Sequence, residues 1–196
     1  MKNINFLLAG VGGQGTILCS NILGAVGLQL GYEVKKAEVH GMAQRGGAVE
    51  THVRWGESVY SPLVSRENAD YLLGFEMLEA ARWQNYIGSH TTSIVNDYRI
   101  NPPSVNMGKD AYPARDEIIS ILTNKGSQLV WVEATDMAYN LGNAAASGVV
   151  LLGSLSTFLD GSEDIWLKEI EEQVPSKFRE LNINAFQEGR KAVNNK

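Results

Sequence analysis

The sequence predicts an α/β fold: a three-layer, Rossmann-like sheet, mostly parallel, with an inserted β-hairpin and a helical C-terminus. Three observations predict this class. The chain opens with a short apolar run that ends in glycines, strand-like and helix-like segments then alternate, and the pattern after Asp136 is helical. Such alternation is typical of layered α/β sheets. The 196 residues contain no internal repeat or long linker, so one domain over residues 1–196 is expected.

The first three elements form a predicted β-α-β unit. Residues 3–9 are an apolar run bounded by glycines, which indicates a buried strand. Residues 16–30 have the composition of an apolar helix, and Gly31 stands where a helix commonly ends. Residues 32–39 read as a second strand, and the crossover is right-handed if the two strands are parallel.

The inserted hairpin is predicted from a regular alternation over residues 48–55. One side of this strand carries Val49, Thr51, Val53 and Trp55, and the other carries Glu50, His52 and Arg54. Gly56-Glu57 marks a turn, and residues 58–64 are expected to return as the second strand. The hairpin is expected at one edge of the sheet, with His52 exposed on its polar side.

The remaining elements continue the alternation. In order, they are a buried strand at 70–75, a helix at 76–86, a strand at 93–96, a loop at 99–113, a helix at 114–124, a strand at 128–134, a long helix at 137–159, an amphipathic helix at 163–174 and a last helix at 176–193. Glu76 and Glu79 are expected to form a solvated face of their helix.

Composition excludes several classes of protein. The net charge is −5 and no basic run occurs, which argues against nucleic-acid binding. No apolar stretch approaches the roughly 18 residues of a membrane span, so a cytoplasmic location is expected. The single cysteine, Cys19, excludes an internal disulfide and a self-contained iron–sulfur cluster, which normally takes about four thiolates. Cys19 is expected to be a buried structural thiol.

The first glycine-rich segment joins the first strand to the first helix. It contains the pattern G-x-G-x-x-G, and its residues are Gly10, Val11, Gly12, Gly13, Gln14 and Gly15. Three interpretations stay open: a dinucleotide site, a site for another phosphate-bearing ligand, or a close-packed turn without ligand. Neither Glu33 nor Glu38 is well placed as the acidic residue that a dinucleotide site expects after the second strand.

The second glycine-rich segment follows the second strand, where open α/β sheets place their active-site loops. Its residues are His40, Gly41, Met42, Ala43, Gln44, Arg45, Gly46 and Gly47. Arg45 could bind a carboxylate or phosphate through its planar guanidinium. The alternative is a loop that Arg45 merely holds together; the concentration of His, Gln and Arg between glycines favours a ligand site or a subunit interface.

Common catalytic motifs are missing from the chain. The sequence contains no P-loop, no G-x-S-x-G, no H-E-x-x-H, no clustered Cys and His, and no Gly-Asp-Gly segment of the kind that holds thiamine diphosphate through a metal. We therefore expect no metal site and no catalytic residue in this chain alone.

The two glycine-rich segments carry a resemblance to a known family. G-V-G-G-Q-G after the first strand, followed by E-V-H-G-M-A-Q-R-G-G, resembles the gamma-type domain of 2-oxoacid:ferredoxin oxidoreductases. The H-G-M-x-Q-R-G-G form is most similar to the beta subunit of the indolepyruvate branch. The resemblance extends over essentially the full chain.

The resemblance implies oxidative decarboxylation of a 2-oxoacid with coenzyme A as cosubstrate and ferredoxin as electron acceptor. It implies a large alpha subunit that carries thiamine diphosphate, Mg and [4Fe-4S] clusters, while this chain binds no cofactor alone. The isolated chain could then self-associate through an exposed apolar patch. Cofactor-binding or interface roles are expected for Gly10, Gly12, Gly13, Gln14, Gly15, His40, Gly41, Gln44, Arg45, Gly46 and Gly47.

Overall fold

The computed structural model describes residues 2–40 and 47–194, and for His40 the backbone alone. Six strands form one mixed sheet in the order β2-β3-β1-β4-β5-β6. They are β1 (Ile4–Val11), β2 (Glu33–His40), β3 (Ala48–Gly56), β4 (Ala69–Gly74), β5 (Ile87–Asn96) and β6 (Gln128–Val132). Strands β1, β4, β5 and β6 are parallel, and β3 lies antiparallel between β1 and β2. The predicted α/β class is confirmed.

The prediction that residues 48–55 and 58–64 pair as a hairpin is wrong. Residues 57–68 contain no strand, and β3 pairs instead with β2 along eight positions. β3 is buried on both faces, since Val53 and His52 are 0% and 2% exposed. A strand buried on both faces belongs inside a sheet, so β3 separates β1 from β2 in the β-α-β unit.

Eight α-helices are present in the described parts of the chain. They are α1 (Thr16–Gln29), α2 (Met77–Arg82), α3 (Pro103–Asn106), α4 (Arg115–Thr123), α5 (Ala134–Asn140), α6 (Ser147–Ser156), α7 (Glu163–Gln173) and α8 (Arg179–Asn194). The predicted long helix over 137–159 is wrong. Gly142 has a φ of +106°, and the Asn143 side chain accepts a hydrogen bond from the Ala145 N–H at 3.0 Å, so the chain turns between α5 and α6.

The helices form two layers, because alternate residues of β1 face opposite sides. Phe6 and Leu8 belong to the larger core, which α1 and α5–α8 cover, whereas Leu7 and Ala9 belong to the smaller core beneath α2 and α4. After β1 the chain runs to α1 on the first face, and after β4 it runs to α2 on the second. The sheet therefore has a topological switch point between β1 and β4, the place where open α/β sheets bind ligands.

We searched the helices of the described residues for one both long and apolar enough to traverse a bilayer, and none qualifies.

Candidate functional site at the carboxyl edge of the sheet

The turn after β1 needs glycine for two different reasons. A Cβ atom at Gly10 would lie 2.8 Å from Cβ of Phe75, a distance that real Cβ atoms do not reach. Gly13 and Gly15 have φ angles of +106° and +81°, in the left-handed region that favours glycine. Close packing and backbone conformation thus account for these glycines, which supports the close-packed interpretation of the turn.

The Gln14 side chain closes the switch-point crevice. Its Oε1 accepts a hydrogen bond from the Val11 N–H at 2.7 Å, and its Nε2 donates to the Phe75 carbonyl at 2.9 Å. The amide therefore links the carboxyl ends of β1 and β4, at the switch point where open α/β sheets bind ligands.

Two further side chains extend this row of hydrogen bonds along the carboxyl edge: Asn96 at the end of β5 and Thr135 in the first turn of α5, after β6. Asn96 Nδ2 donates to the same Phe75 carbonyl at 3.1 Å and to Thr135 Oγ1 at 2.8 Å. The Thr135 N–H donates to Asn96 Oδ1 at 3.2 Å. We call Gln14, Asn96 and Thr135 the amide ridge. Sequence reasoning missed Asn96 and Thr135; an asparagine at the last position of a buried strand was the available signal.

Glu76 anchors the segment after β5 to the same edge. Its carboxylate is 1% exposed, and it accepts hydrogen bonds from the N–H of Glu79 at 2.8 Å, the N–H of Ile100 at 3.0 Å and the hydroxyl of Tyr112. Burial, with the Glu76 hydrogen bond, raises the pKa of Tyr112. The predicted solvated face of Glu76 and Glu79 is therefore wrong, because the segment over 97–113 folds back over it.

Glu79 is also buried, at 5% exposure. Burial raises the pKa of its carboxyl group, while Arg82, with Nε at 3.3 Å, opposes that shift. Its second oxygen, Oε2, has no hydrogen-bond partner in the structure. Ionising this group in the folded chain is consequently unfavourable relative to water.

The two glycine-rich segments meet in space. β2 runs in the same direction as β1 and ends at His40, so the second segment leaves the sheet at the carboxyl edge. The Gly12 N–H donates to the Gly47 carbonyl at 2.9 Å. Gly41, Gln44, Arg45 and Gly46 lie outside the described residues, as does the side chain of His40, so their predicted roles stay predictions.

His52 corrects the expectation of an exposed histidine. It is 2% exposed, its Nδ1 accepts a hydrogen bond from the Val64 N–H at 3.2 Å, and its Nε2 lies 3.8 Å from Glu50 Oε1. Burial lowers the pKa of His52 and raises that of Glu50. The loop over 57–68 covers this side of β3, which explains why a polar side of the alternation is buried.

The expectation for Cys19 is confirmed. The thiol is buried against the start of α6, where a Cβ on Gly148 would lie 2.7 Å from its Sγ, and burial raises its pKa. Among the described residues, no group of three His, Cys, Asp or Glu side chains could hold a metal ion.

A shallow cleft of about 340 Å³ lies beside the amide ridge at the end of β6. Its arginine, Arg115, is 2.5 Å from Asp97 Oδ2, and its guanidinium lies 5.0 Å from the centre of the Trp131 ring. Because the carboxylate already neutralises this guanidinium, the cleft offers a weaker attraction to anions than the arginine alone would.

The carboxyl edge also exposes apolar side chains. Ile17, in the first turn of α1, is 47% exposed, and Tyr98, two residues beyond β5, is 39% exposed. These residues flank the glycine turn and the amide ridge. The carboxyl edge thus exposes two apolar side chains beside the Gln14 bridge.

Comparison with known proteins gives a consistent family. The family described as pyruvate ferredoxin/flavodoxin oxidoreductase matches residues 5–192. The chain is 39% identical over 196 residues to indolepyruvate oxidoreductase subunit IorB of Thermococcus kodakarensis, covering 98% of this chain and 97% of the relative. It is 38% identical to the subunit of the same name from Archaeoglobus fulgidus, covering 95% and 93%.

Solved structures share the fold. The gamma subunit of a keto/oxoacid ferredoxin oxidoreductase from Geobacter sulfurreducens superposes with a TM-score of 0.71 at 21% identity, over 98% of this chain and 99% of that one. A 2-oxoglutarate:ferredoxin oxidoreductase from Magnetococcus marinus, solved with 2-oxoglutarate, coenzyme A and succinyl-CoA, gives a TM-score of 0.78 at 18% identity. That match covers 100% of this chain and 32% of the longer chain.

Proposed function

The chain belongs to the pyruvate ferredoxin/flavodoxin oxidoreductase family, and from this premise we propose that it is the small, beta-type subunit of an indolepyruvate:ferredoxin oxidoreductase. The names of the relatives support the indolepyruvate branch. In the proposed reaction an aryl-pyruvate and coenzyme A give an aryl-acetyl-CoA, CO2 and two electrons, which reduce ferredoxin. Isolated, this chain is inactive in the proposal.

The reactive groups are assigned to a large partner subunit. The cysteine content is one, and that thiol is buried with a raised pKa, so the residues of this chain do not fit a [4Fe-4S] cluster. The sequence also has no Gly-Asp-Gly segment for thiamine diphosphate and Mg. We therefore assign no step through these groups to this chain.

The role proposed for this chain is to complete a site at the carboxyl edge. The observation that carries this role is the Gln14 bridge, which fills the switch-point crevice and leaves a preformed surface instead of a nucleotide cleft. Ile17 and Tyr98 supply exposed apolar area for the large subunit. In this proposal the Arg45 guanidinium binds an anionic group, which is either a phosphate of coenzyme A or a carboxylate of the partner.

The main alternative is a stand-alone dinucleotide-dependent oxidoreductase that uses the Gly10–Gly15 turn. The glycine spacing favours it, whereas the position of Gln14 opposes it. A thermal shift of the isolated chain with NAD separates the two: the subunit proposal expects no shift, and a saturable stabilisation would favour the dinucleotide site.

The proposal is tested by reconstituting the complex and measuring reduction of ferredoxin with indolepyruvate, pyruvate, 2-oxoisovalerate and 2-oxoglutarate. The expected result is the highest kcat/KM with indolepyruvate. Preference for another oxoacid would instead indicate a gamma subunit of a related branch.

Arg45→Ala tests the anionic contact in the same assay, with Arg66→Ala as the control, since Arg66 is exposed near the amino end of β4. Loss of a charge-assisted contact is expected to raise the KM for coenzyme A, or to weaken assembly, by about ten-fold or more. If Arg45→Ala leaves assembly and both Michaelis constants unchanged, this role for Arg45 is wrong.

A further inference from the structure

The outer edge of β2 offers a surface that the proposed function does not use. β2 is the end strand of the sheet and pairs with β3 over all eight of its residues. Within the part of the chain that the structure describes, no strand pairs with its other side. The free N–H and C=O groups of such an edge can pair with a strand of another molecule.

Charge restricts how β2 could pair with its own copy. If a twofold axis perpendicular to the sheet relates the two copies, their β2 strands pair antiparallel. Residues that face each other across the pair then have their side chains on the same face of the sheet. Under this symmetry the axis passes beside one residue, which faces the same residue of the second copy. For overlaps of five or more residues of Glu33–His40, that residue is 35, 36, 37 or 38. Lys35, Lys36 and Glu38 would each oppose a like charge, which is destabilising. Ala37 is neutral and small.

An axis at Ala37 also produces favourable neighbours. Lys36 then lies opposite Glu38 of the second copy, and the symmetry repeats this pair on the other side of the axis. Lys35 lies opposite Val39, which is 47% exposed, so the aliphatic part of the lysine can cover an exposed apolar side chain. We propose that β2 pairs antiparallel with β2 of a second copy about Ala37, which joins two sheets into one.

The charged residues of this register are already held in place. Lys36 Nζ lies 2.6 Å from Glu38 Oε1 on the same strand, and it also donates to Asn21 Oδ1 and, at 3.4 Å, to Ser20 Oγ on α1. Both side chains lie on the α1 side of the sheet, so pairing with the copy makes a two-by-two cluster in which each lysine has a glutamate beside it on its own strand and another opposite it. Little side-chain freedom is then lost on association.

The proposed dimer edge differs from the carboxyl edge at which we place the large subunit. The dimer uses the outer side of β2 over residues 34–40, whereas the subunit surface surrounds the carboxyl ends of β1, β4 and β5 together with the segment that follows β2. Failure of one surface therefore does not imply failure of the other.

Cysteine cross-linking of the full chain tests the register. In Ala37→Cys the two introduced thiols face each other with Cα atoms about 4.5–5.5 Å apart, inside the range that a disulfide bridges. Cys19 is buried and does not compete. In the control, Val39→Cys, the two thiols are four residues out of register, about 13 Å, which is too far. Under mild oxidation we expect a covalent dimer from Ala37→Cys and mainly monomer from Val39→Cys.

Sedimentation equilibrium with charge variants provides the second test. Glu38→Lys places lysines opposite each other twice and is expected to weaken the dimer about ten-fold. The double variant Lys36→Glu/Glu38→Lys restores opposite charges and is expected to recover the affinity. Glu172→Lys, at an exposed position of α7, makes the same charge change elsewhere and should have no effect. Equal cross-linking of both cysteine variants, a wild-type chain that stays monomeric at high micromolar concentration, or no effect of Glu38→Lys would overturn the proposal.

Discussion

The two edges of the sheet differ in a way that bears on function. At the carboxyl edge, Gln14 fills the crevice between β1 and β4, and Gly10 packs against Phe75 with no room for a side chain. At the amino edge, a cavity of about 250 Å³ remains open between Tyr32, Tyr71 and Phe158. At the carboxyl edge, where open α/β sheets bind ligands, a shallow cleft of about 340 Å³ lies at the end of β6, away from the position between β1 and β4. The Gln14 bridge between β1 and β4 supports our proposal that the carboxyl edge forms a surface for another chain.

Four carboxyl groups near the two edges also differ in the direction of their pKa shifts. Burial raises the pKa of Glu79 and Glu50 near the carboxyl edge. At the amino edge, the hydrogen bond from Lys125 lowers the pKa of Glu67, and the backbone N–H of Val59 lowers that of Glu33. Burial thus disfavours the ionised forms of Glu50 and Glu79, whereas hydrogen bonds favour the ionised forms of Glu33 and Glu67.

Gly10→Ala should have the largest effect on stability. The new Cβ would lie 2.8 Å from Phe75 Cβ and 3.0 Å from Gln14 Oε1, so overpacking is expected to lower the free energy of unfolding by about 2–3 kcal/mol. Gly24→Ala, in the middle of α1, is the control: its nearest neighbour is 3.7 Å away, and alanine favours the helix. Urea unfolding checks both, and equal stability of the two variants would contradict the packing argument.

Gln14→Ala should have the next largest effect. It removes hydrogen bonds to Val11 and Phe75, and we expect a loss of about 1–2 kcal/mol in the free energy of unfolding. In the reconstituted complex the less rigid edge should also lower activity. Gln29→Ala, an exposed residue at the end of α1, is the matched control. Activity and stability both at the wild-type level would show that the bridge is dispensable.

Ile17→Glu tests the apolar part of the carboxyl edge. An acidic residue in the first turn suits the helix dipole, so the fold should persist, while the charge at the contact is expected to weaken binding of the large subunit about ten-fold. Leu28→Lys is the control near the other end of α1, where Leu28 is 62% exposed and a basic residue suits the dipole. Calorimetric titration with the large subunit measures both affinities; equal weakening would place the contact elsewhere.

Two substitutions should change the pH dependence of stability in opposite directions. Because the folded-state pKa of Glu79 is raised, wild-type stability falls as pH rises from about 4.5 through that pKa, so Glu79→Gln should gain stability relative to wild type over this window. The folded-state pKa of Glu67 is lowered, and its contribution is present above about 4.5 and lost at lower pH. Glu67→Gln should therefore lose relative stability above that pH. Denaturation from about pH 2.5 to 8 spans both windows and checks both signs.

Local sequence patterns predicted which segments form strands and helices better than they predicted which elements pack or pair together. The alternation in residues 48–55 marks β3 correctly, yet it cannot reveal that residues 57–68 cover the polar side and bury His52. The apolar run after residue 137 indicates helix, but the break at Gly142 depends on a positive φ and on the Asn143 cap. Strand partners and tertiary covers depend on contacts between distant residues.

For the candidate site, too, local patterns predicted individual segments but not the contacts between them. Glycine spacing placed Gly10–Gly15 at the carboxyl edge of β1 and indicated Gln14 as part of it. The bridge across the carboxyl edge also needs Phe75, directly after β4, and Asn96, at the end of β5, and no local pattern connects these residues to Gln14. Glu76 and Glu79 were expected in solvent because the covering segment, residues 97–113, lies beyond the next strand.

The most direct test of the proposed function is a titration of this chain into the large subunit that we propose carries thiamine diphosphate and iron–sulfur clusters. The readout is ferredoxin reduction with indolepyruvate and coenzyme A. We expect negligible activity from either chain alone, and an activity that rises and saturates at a fixed ratio of the two chains. Full activity of the large subunit without this chain, or indolepyruvate oxidation by this chain alone with NAD, would contradict it.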